Sequence, residues 1–446
     1  METPLPEPDN DVEYLSPDEL PERRRGFGSV LRNRSFLSLW IAQASSQTAQ
    51  NTLWYVLVIM VSELTGQNAL GVGVTIILVQ LPTVLFSSIS GVIVDRVSKR
   101  AILVGTNVVR VVGVLLYVFF QADLGILYLI TFLVAVVSQP FAPAEGSSIA
   151  LVVEDDDLIA ANSLFQMTFM ASQAIGFALA PIALGLLDVR ITLFILAGLF
   201  TLAAAVLVNL PQSTRAHRAW SDFRIMPLIR QVAVELLEAL KFVIHDPPLA
   251  VALVQISLAP TLLLVLAEIG PGFLSALHIG RASTSLFFLL APAGAGLGIG
   301  LFVLGQFGER LRKERLVLVS LIALGITVIG LGSVPTLALF WHGLRAIGLI
   351  VPSGVQFTVT IIPLSALMGI EVAFINAPVQ TIVQQRATDA FRGRVLGMQQ
   401  TLTAAMAIPP LILVGGIATF IGIPATLGLM GVVMVAIGLV VVYYAE

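Results

Sequence analysis

Two carboxylic acids lie inside long apolar runs: Glu371 in Leu367-Met-Gly-Ile-Glu-Val-Ala-Phe374, and Glu268 in Val265-Leu-Ala-Glu-Ile-Gly270. An ionised carboxylate at mid-bilayer costs at least about 2.5 kcal/mol, so an acid retained there is expected to serve a purpose, and taking up and releasing a proton is the natural one. Glu268 falls toward the outer end of its run, where an interfacial residue reaching water is the equal alternative. A second constellation is rich in amides. Gln43, Ser46, Gln47, Gln50 and Asn51 recur at mostly helical spacing, which makes one side of a membrane helix polar enough to wall a solute cavity. Gln166 and Gln173, seven apart and on one face, extend that set with Gln255, Asn376 and Gln399. A lone buried amide more often bonds a neighbouring helix.

A third pattern is a polar phrase that occurs twice. Gly91-Val-Ile-Val-Asp95-Arg96-Val-Ser-Lys99-Arg100 is echoed by Gly305-Gln-Phe-Gly-Glu309-Arg310-Leu-Arg312-Lys313. A tight turn between two spans needs small residues where backbones approach, and an acid opening the next helix complements that helix's positive N-terminal dipole. The cations that follow can hold anionic headgroups or pair with acids such as Glu154 and Asp157. Plain cytoplasmic charge is the simpler reading. Arg110, ten residues past Arg100, is expected to snorkel to the cytoplasmic interface, and Glu145 is expected to be structural.

These residues require membrane helices to position them. Hydrophobic residues make up 57% of the chain, charged residues 11%, and mean hydropathy is +0.95, which excludes a soluble globular domain. The 446 residues divide into twelve expected spans, near 36–62, 70–94, 101–121, 125–148, 160–184, 190–210, 249–275, 284–306, 316–333, 355–383, 395–419 and 421–444. With the N-terminus inside, Lys and Arg collect in the cytoplasmic segments, and the outer loops hold only Arg190, Arg281 and Arg345. Both termini are therefore expected in the cytoplasm of a cell whose inner membrane holds the chain. Residues 1–30 read as a disordered tail, 31–210 and 248–446 as two six-helix bundles, and 211–247 as a cytoplasmic linker. In that linker Arg230, Glu235, Glu238 and Lys241 oppose Leu236, Leu237, Leu240 and Ile244, as in a helix lying on the inner leaflet.

The halves differ in length. Gly91 and Gly305 are 214 apart (305 minus 91), whereas Ala142-Pro143 and Ala377-Pro378 are 235 apart (377 minus 142), so the second half carries about 21 extra residues. An interfacial or re-entrant outer segment at 335–354 is the expected site. Gly294-Ala-Gly-Leu-Gly-Ile-Gly300 lacks the lysine of a phosphate loop and reads as close helix packing. There is no cysteine, and the four histidines lack metal-ligand spacing. Neither an enzyme, a cofactor, a metal nor a nucleic-acid partner is expected.

The G-x-x-x-D-R-x-x-K-R loop and its degenerate copy resemble the signature loop of the major facilitator superfamily. Leu31-Arg-Asn-Arg-Ser-Phe36, Phe141-Ala-Pro-Ala144, Ala160-Ala-Asn162-Ser-Leu164, Leu240-Lys-Phe-Val-Ile-His-Asp-Pro247, and Asn376-Ala-Pro-Val-Gln380 through Phe391-Arg-Gly-Arg394 resemble its bacterial efflux branch, which includes macrolide and enterobactin exporters. The resemblance implies an all-α fold of twelve transmembrane helices in two pseudo-symmetric bundles. It also implies conformational control by Asp95, Arg96 and Arg100. Many relatives carry an acid in a Gly-Asp pair of span one, where this chain has Ala49-Gln50, so proton antiport would rest on Glu371, Glu268 or both. The expected function is secondary active transport of a small amphipathic or hydrophobic solute, outward and proton-coupled. A transport-silent scaffold or assembly factor of a larger membrane complex is the alternative, and a passive facilitator a third.

Overall fold

The computed structural model describes residues 27–154, 157–211, 234, 247–277, 287–307, 312–346, 355–386 and 392–445. Among the described residues fourteen helices follow one another: α1 (Phe27–Arg32), α2 (Arg34–Leu64), α3 (Ala69–Arg96), α4 (Lys99–Phe120), α5 (Leu124–Ser138), α6 (Phe141–Val152), α7 (Leu158–Leu186), α8 (Val189–Leu207), α9 (Pro247–Ala276), α10 (Phe287–Phe307), α11 (Lys313–Ala346), α12 (Val355–Arg386), α13 (Arg392–Ile421) and α14 (Ile423–Ala445). Each of the twelve expected spans is predominantly helical over its described residues. Among the described residues nine stretches are long and apolar enough to cross a membrane, and Pro260–Ser275 and Ile423–Leu439 are shorter apolar helices. The remaining span is α2, whose glutamines and Asn51 dilute its apolar character.

The pairings of the first bundle recur six spans later. α2 packs on α7 as α9 packs on α13, α4 on α8 as α11 on α14, α3 on α5 as α10 on α12, and α4 on α5 as α11 on α12. Two bundles of one design therefore face each other. They meet where α3 packs on α13 and α7 on α10, with α9 also touching α2 and α3.

The bundles are held by different means. In the second, helices approach at glycine: a Cβ on Gly296 would lie 1.9 Å from the Ala366 carbonyl oxygen, and one on Gly369 would lie 1.9 Å from that of Ala293. Gly325 and Gly431 meet the same way between α11 and α14. Small residues permit such backbone contact where lipid offers no hydrophobic driving force between helices. In the first, polar side chains stitch α2 to α7: Trp40 Nε1 donates to Thr168 Oγ1 (2.7 Å), Gln43 Nε2 to the Phe165 carbonyl (3.2 Å) and Thr48 Oγ1 to Ser172 Oγ (3.2 Å).

Three sequence expectations change. The end of the expected 1–30 tail is ordered, because Phe27–Arg32 is helical with Val30 buried, and Asn33 caps α2 through the Ser35 and Phe36 amides. The fourth span is two consecutive helices, α5 and α6: Gln139 and Pro140 between them keep right-handed helical angles, but Pro140 has no amide to donate and the hydrogen-bond ladder is interrupted there. The extra residues of the second half do not begin a separate element at 335. α11 runs straight through Pro335 to Ala346 and has 34 residues against the 22 of its counterpart α4. Residues 347–354 lie outside the described residues, as do 1–26 and, apart from Val234, the proposed linker helix.

Candidate functional site

Glu268 sits on α9 at the seam between the bundles. It is 1% exposed, so it does not reach interfacial water, and neither carboxylate oxygen has a hydrogen-bond partner among the described residues. Two glycines make its place. A Cβ on Gly73 of α3 or on Gly415 of α13 would fall 2.5 Å from Glu268 Oε1, so a larger residue at either position requires the carboxyl group to shift from this place. The acid is thus closed in by one helix of each bundle, near the N-terminal end of α3 and the C-terminal ends of α9 and α13, the end expected to face outward. The α2–α3 turn completes this outer closure: Gly66 and Gln67 take positive φ angles (62° and 67°), and the Gln67 carbonyl oxygen lies 3.2 Å from where a Gly272 Cβ would be. At the other end of the seam, Ser87 of α3 and Thr401 of α13 share a 2.8 Å hydrogen bond.

Glu371 is 4% exposed and occupies different ground. Its Oε1 accepts from Thr327 Oγ1 on α11 at 2.9 Å, and Oε2 has no partner among the described residues. α11 packs on α12 and α14, so this acid turns into the second bundle and away from the seam.

The amide stripe of α2 divides. Gln43 Nε2 donates to the α7 backbone, while its Oε1 is buried without a partner among the described residues. Gln50 Oε1 and Asn51 Nδ2 are buried without a partner among the described residues, as is Asn376 Oδ1 on α12. Asn51 is also the closest approach of α2 to α7, because a Gly176 Cβ would lie 2.4 Å from its Cβ. Gln166 is exposed and Gln173 half-buried, while the side chains of Gln255 and Gln399 lie outside the described residues.

Arg110 does not snorkel. It is 6% exposed at the middle of α4, where its Nη1 donates to Ser46 Oγ (2.9 Å) and its Nε to Ser138 Oγ (3.1 Å). Its guanidinium lies over the Phe141 ring at 4.4 Å and near that of Phe200 at 5.7 Å. Ser46 passes the hydrogen bond on to Asn107 Oδ1 (3.0 Å), and the Arg110 charge acts on Glu145, itself 7% exposed. Nothing local in the sequence marks this cluster, since its members come from α2, α4, α5, α6 and α8.

The signature loop is built differently from its sequence reading. Asp95 falls in the last turn of α3, not the first turn of α4, and the cap of α4 is Ser98, which accepts from the Ala101 amide. Among the described residues nothing lies within 4 Å of a Cβ built on Gly91 or Gly305, so neither makes a close backbone approach there. Arg96 ends α3. Lys99 Nζ donates to the Ser147 carbonyl on α6 (2.9 Å) and Arg100 Nη1 to the Leu210 carbonyl beyond α8 (3.4 Å), which ties the loop to two other helix ends. Glu309 and Arg310 of the second copy lie outside the described residues.

Residues 39–363 match the family model described as Major Facilitator Superfamily, well over half of the chain. The chain belongs to the Major Facilitator Superfamily. Among its relatives in this family is the Bacillus subtilis (strain 168) "Uncharacterized MFS-type transporter YfiS", 23% identical over 81% of each chain. "Macrolide efflux protein A" of Streptococcus pyogenes is 20% identical over 91% of this chain and 94% of its own. In three dimensions the protein resembles the nucleoside transporter NupG, with a TM-score of 0.67, 12% identity, and 91% and 98% of the two chains covered. It also resembles a POT family transporter in complex with a thioalcohol-conjugated peptide, with a TM-score of 0.66, 13% identity, and 92% and 96% covered. The facilitator fold, in which two bundles rock about a shared seam, is thereby the setting for these residues. It is a transporter fold of the membrane, not an enzyme's.

Proposed function

We propose that this facilitator exports a small amphipathic or hydrophobic solute in exchange for protons, from the inner membrane of a bacterial cell with both termini in the cytoplasm. The observation that carries the reading is Glu268, a carboxyl group with two unpartnered oxygens closed between glycines of opposite bundles. An ionised carboxylate resists such closure, because nothing there replaces its water, whereas a neutral acid is accommodated. A proton taken from the outer side therefore licenses the outer seam to shut, and its later loss favours reopening, so solute release outward is tied to proton entry. Glu268 is preferred over Glu371 for this task because Glu371 faces Thr327 inside one bundle and need not sense the seam. The relatives' names support solute transport over the scaffold alternative, and a macrolide is the first probe to try.

The test uses reconstituted protein and a radiolabelled macrolide. Glu268→Gln, which imitates the protonated acid, is expected to lose uptake driven by a pH gradient while retaining solute exchange at equal pH. Glu371→Gln is expected to keep both. Gradient-driven uptake surviving in Glu268→Gln would remove Glu268 from the coupling, and flux indifferent to pH in the unaltered protein would leave a passive facilitator.

A further inference from the structure

Gly73 meets Glu268 on one side of α3, and α3 is gripped from the other. Tyr128 Oη on α5 donates to the Gly71 carbonyl at 2.8 Å. At about 100° per residue, Gly71 lies on the side of α3 away from Gly73. Leu70 and Gly73 share the face turned to the second bundle: a Gly415 Cβ would lie 3.0 Å from Leu70 Cδ2, and a Gly73 Cβ 2.5 Å from Glu268 Oε1. Gly71 also seats the α2–α3 turn, because a Cβ there would lie 2.5 Å from Thr65 Cγ2. The turn is closed by its own hydrogen bonds: Gln67 N donates to the Ser62 carbonyl (2.6 Å) and Gly66 N to that of Glu63 (3.3 Å), the Schellman pattern, while Asn68 accepts from the Leu70 amide (3.0 Å) to cap α3. Turn and first turn of α3 thus form one block. That block carries both Gly73 at Glu268 and the Gln67 carbonyl at Gly272. In the second bundle the counterpart pair, α10 and α12, locks backbone to backbone through Gly296 and Gly369, whereas Tyr128 joins α5 to this end of α3 by a side chain.

We propose that Tyr128 is a positioning residue for the coupling acid: from behind α3 its hydroxyl holds Gly73 against Glu268, so that the closed outer seam has no room for an ionised carboxylate and the water it requires. This inference rests on Glu268 as the group that senses the proton. With α3 braced, the seam closes over the neutral acid and resists closing over the charged one. Without the hydroxyl α3 yields, water enters beside the acid, and the seam closes more readily over the charged form. Closure over the neutral form is unchanged, because that form needs no added room. Among the helices packed on α9, the charged or titratable residues in the outer halves are Tyr55 and Glu63 of α2. Glu371 of α12 is turned to Thr327, and every other one, such as Arg96 on α3 or Arg392 on α13, stands at a helix end expected to face the cytoplasm.

The test uses the full chain in lipid nanodiscs with spin labels on Ala122→Cys and Ile421→Cys, exposed positions at the outer ends of opposite bundles; no native cysteine competes. Pulsed dipolar spectroscopy reads the ratio of closed to open outer seam across pH. With no further change, the ratio is expected to fall from an acid plateau to an alkaline one as pH rises. Tyr128→Phe, which removes the hydroxyl and keeps the ring, is expected to raise the alkaline plateau several-fold and leave the acid plateau in place. The rise is at most about tenfold, since a brace cannot impose a penalty larger than its one hydrogen bond. Tyr117→Phe is the matched control. It too removes a tyrosine hydrogen bond between two spans, to Thr131 at 3.0 Å inside the first bundle, and is expected to lower the melting temperature while moving neither plateau. An alkaline plateau unmoved by Tyr128→Phe, or moved equally by Tyr117→Phe, overturns the positioning role and leaves the coupling role of Glu268 standing. A ratio indifferent to pH before either change, or still pH-dependent in Glu268→Gln, overturns the coupling role, and the positioning role falls with it.

Discussion

A valine at position 73 would begin with a Cβ 2.5 Å from Glu268 Oε1, and a valine at 415 would do the same from the other side. Each is expected to hold the outer seam open and abolish gradient-driven transport while the protein still inserts and runs as a monodisperse peak on size-exclusion chromatography. A different cost attends Ser46→Ala. Arg110 Nη1 would lose its acceptor and Asn107 Oδ1 its donor, both in the interior of the first bundle. Stranding a buried polar group of this kind costs about 1–3 kcal/mol, more for a charged one, so a clear fall in detergent-solubilised melting temperature is expected. An unchanged melting temperature would mean that water already serves Arg110.

Helix contacts account for what was readable and what was not. The glycine run 294–300 was legible as close packing because small residues at a four-residue spacing leave one face of a helix bare, and Gly296 and Gly300 do meet α12. Gly296→Leu is expected to separate α10 from α12 and lower the melting temperature sharply. Gly298→Ala, with nothing within 4 Å of its Cβ and a gain of up to about 1 kcal/mol in helix propensity, is expected to raise it slightly. Arg110 was illegible for the opposite reason: its partners Ser46, Ser138 and Phe141 lie 64, 28 and 31 residues away (110 minus 46, 138 minus 110, 141 minus 110), on three other helices. Gly73 and Gly415 gave no signal either, since an isolated glycine does not say which side chain will occupy its missing Cβ. Ser98 is the residue type most often found capping a helix and stands immediately before the apolar run, a stronger cap signal than Asp95 three residues earlier.

At the scale of the whole molecule, transport requires the two bundles to part at one end of the seam at a time. Ser87 and Thr401 are close enough, at 2.8 Å between hydroxyls, for a disulfide to replace them without moving either backbone far. The chain has no cysteine of its own, so Ser87→Cys/Thr401→Cys gives one defined cross-link. Oxidation is expected to arrest transport and a reductant to restore it; full transport in the oxidised protein would show that the inner seam does not need to part. A twelve-span, two-bundle architecture was fully legible from hydropathy and from the duplicated phrase, because lipid leaves a chain few ways to satisfy its backbone. Which acid belongs to the seam was not, since both sit in apolar runs and only the packing of α9 against α3 and α13 tells them apart.

The unequal fastening of the bundles has a consequence for how this lineage can drift. A backbone contact through glycine accepts no substitute, so positions 296, 325, 369 and 431 of the second bundle, and 176 where α7 meets the backbone of α2, are closed to change. Hydrogen bonds such as Trp40 to Thr168 or Thr48 to Ser172 can be redrawn by exchanging one polar side chain for another. Among descendants of this chain these glycines should therefore stay fixed while the polar pairs change partner by partner.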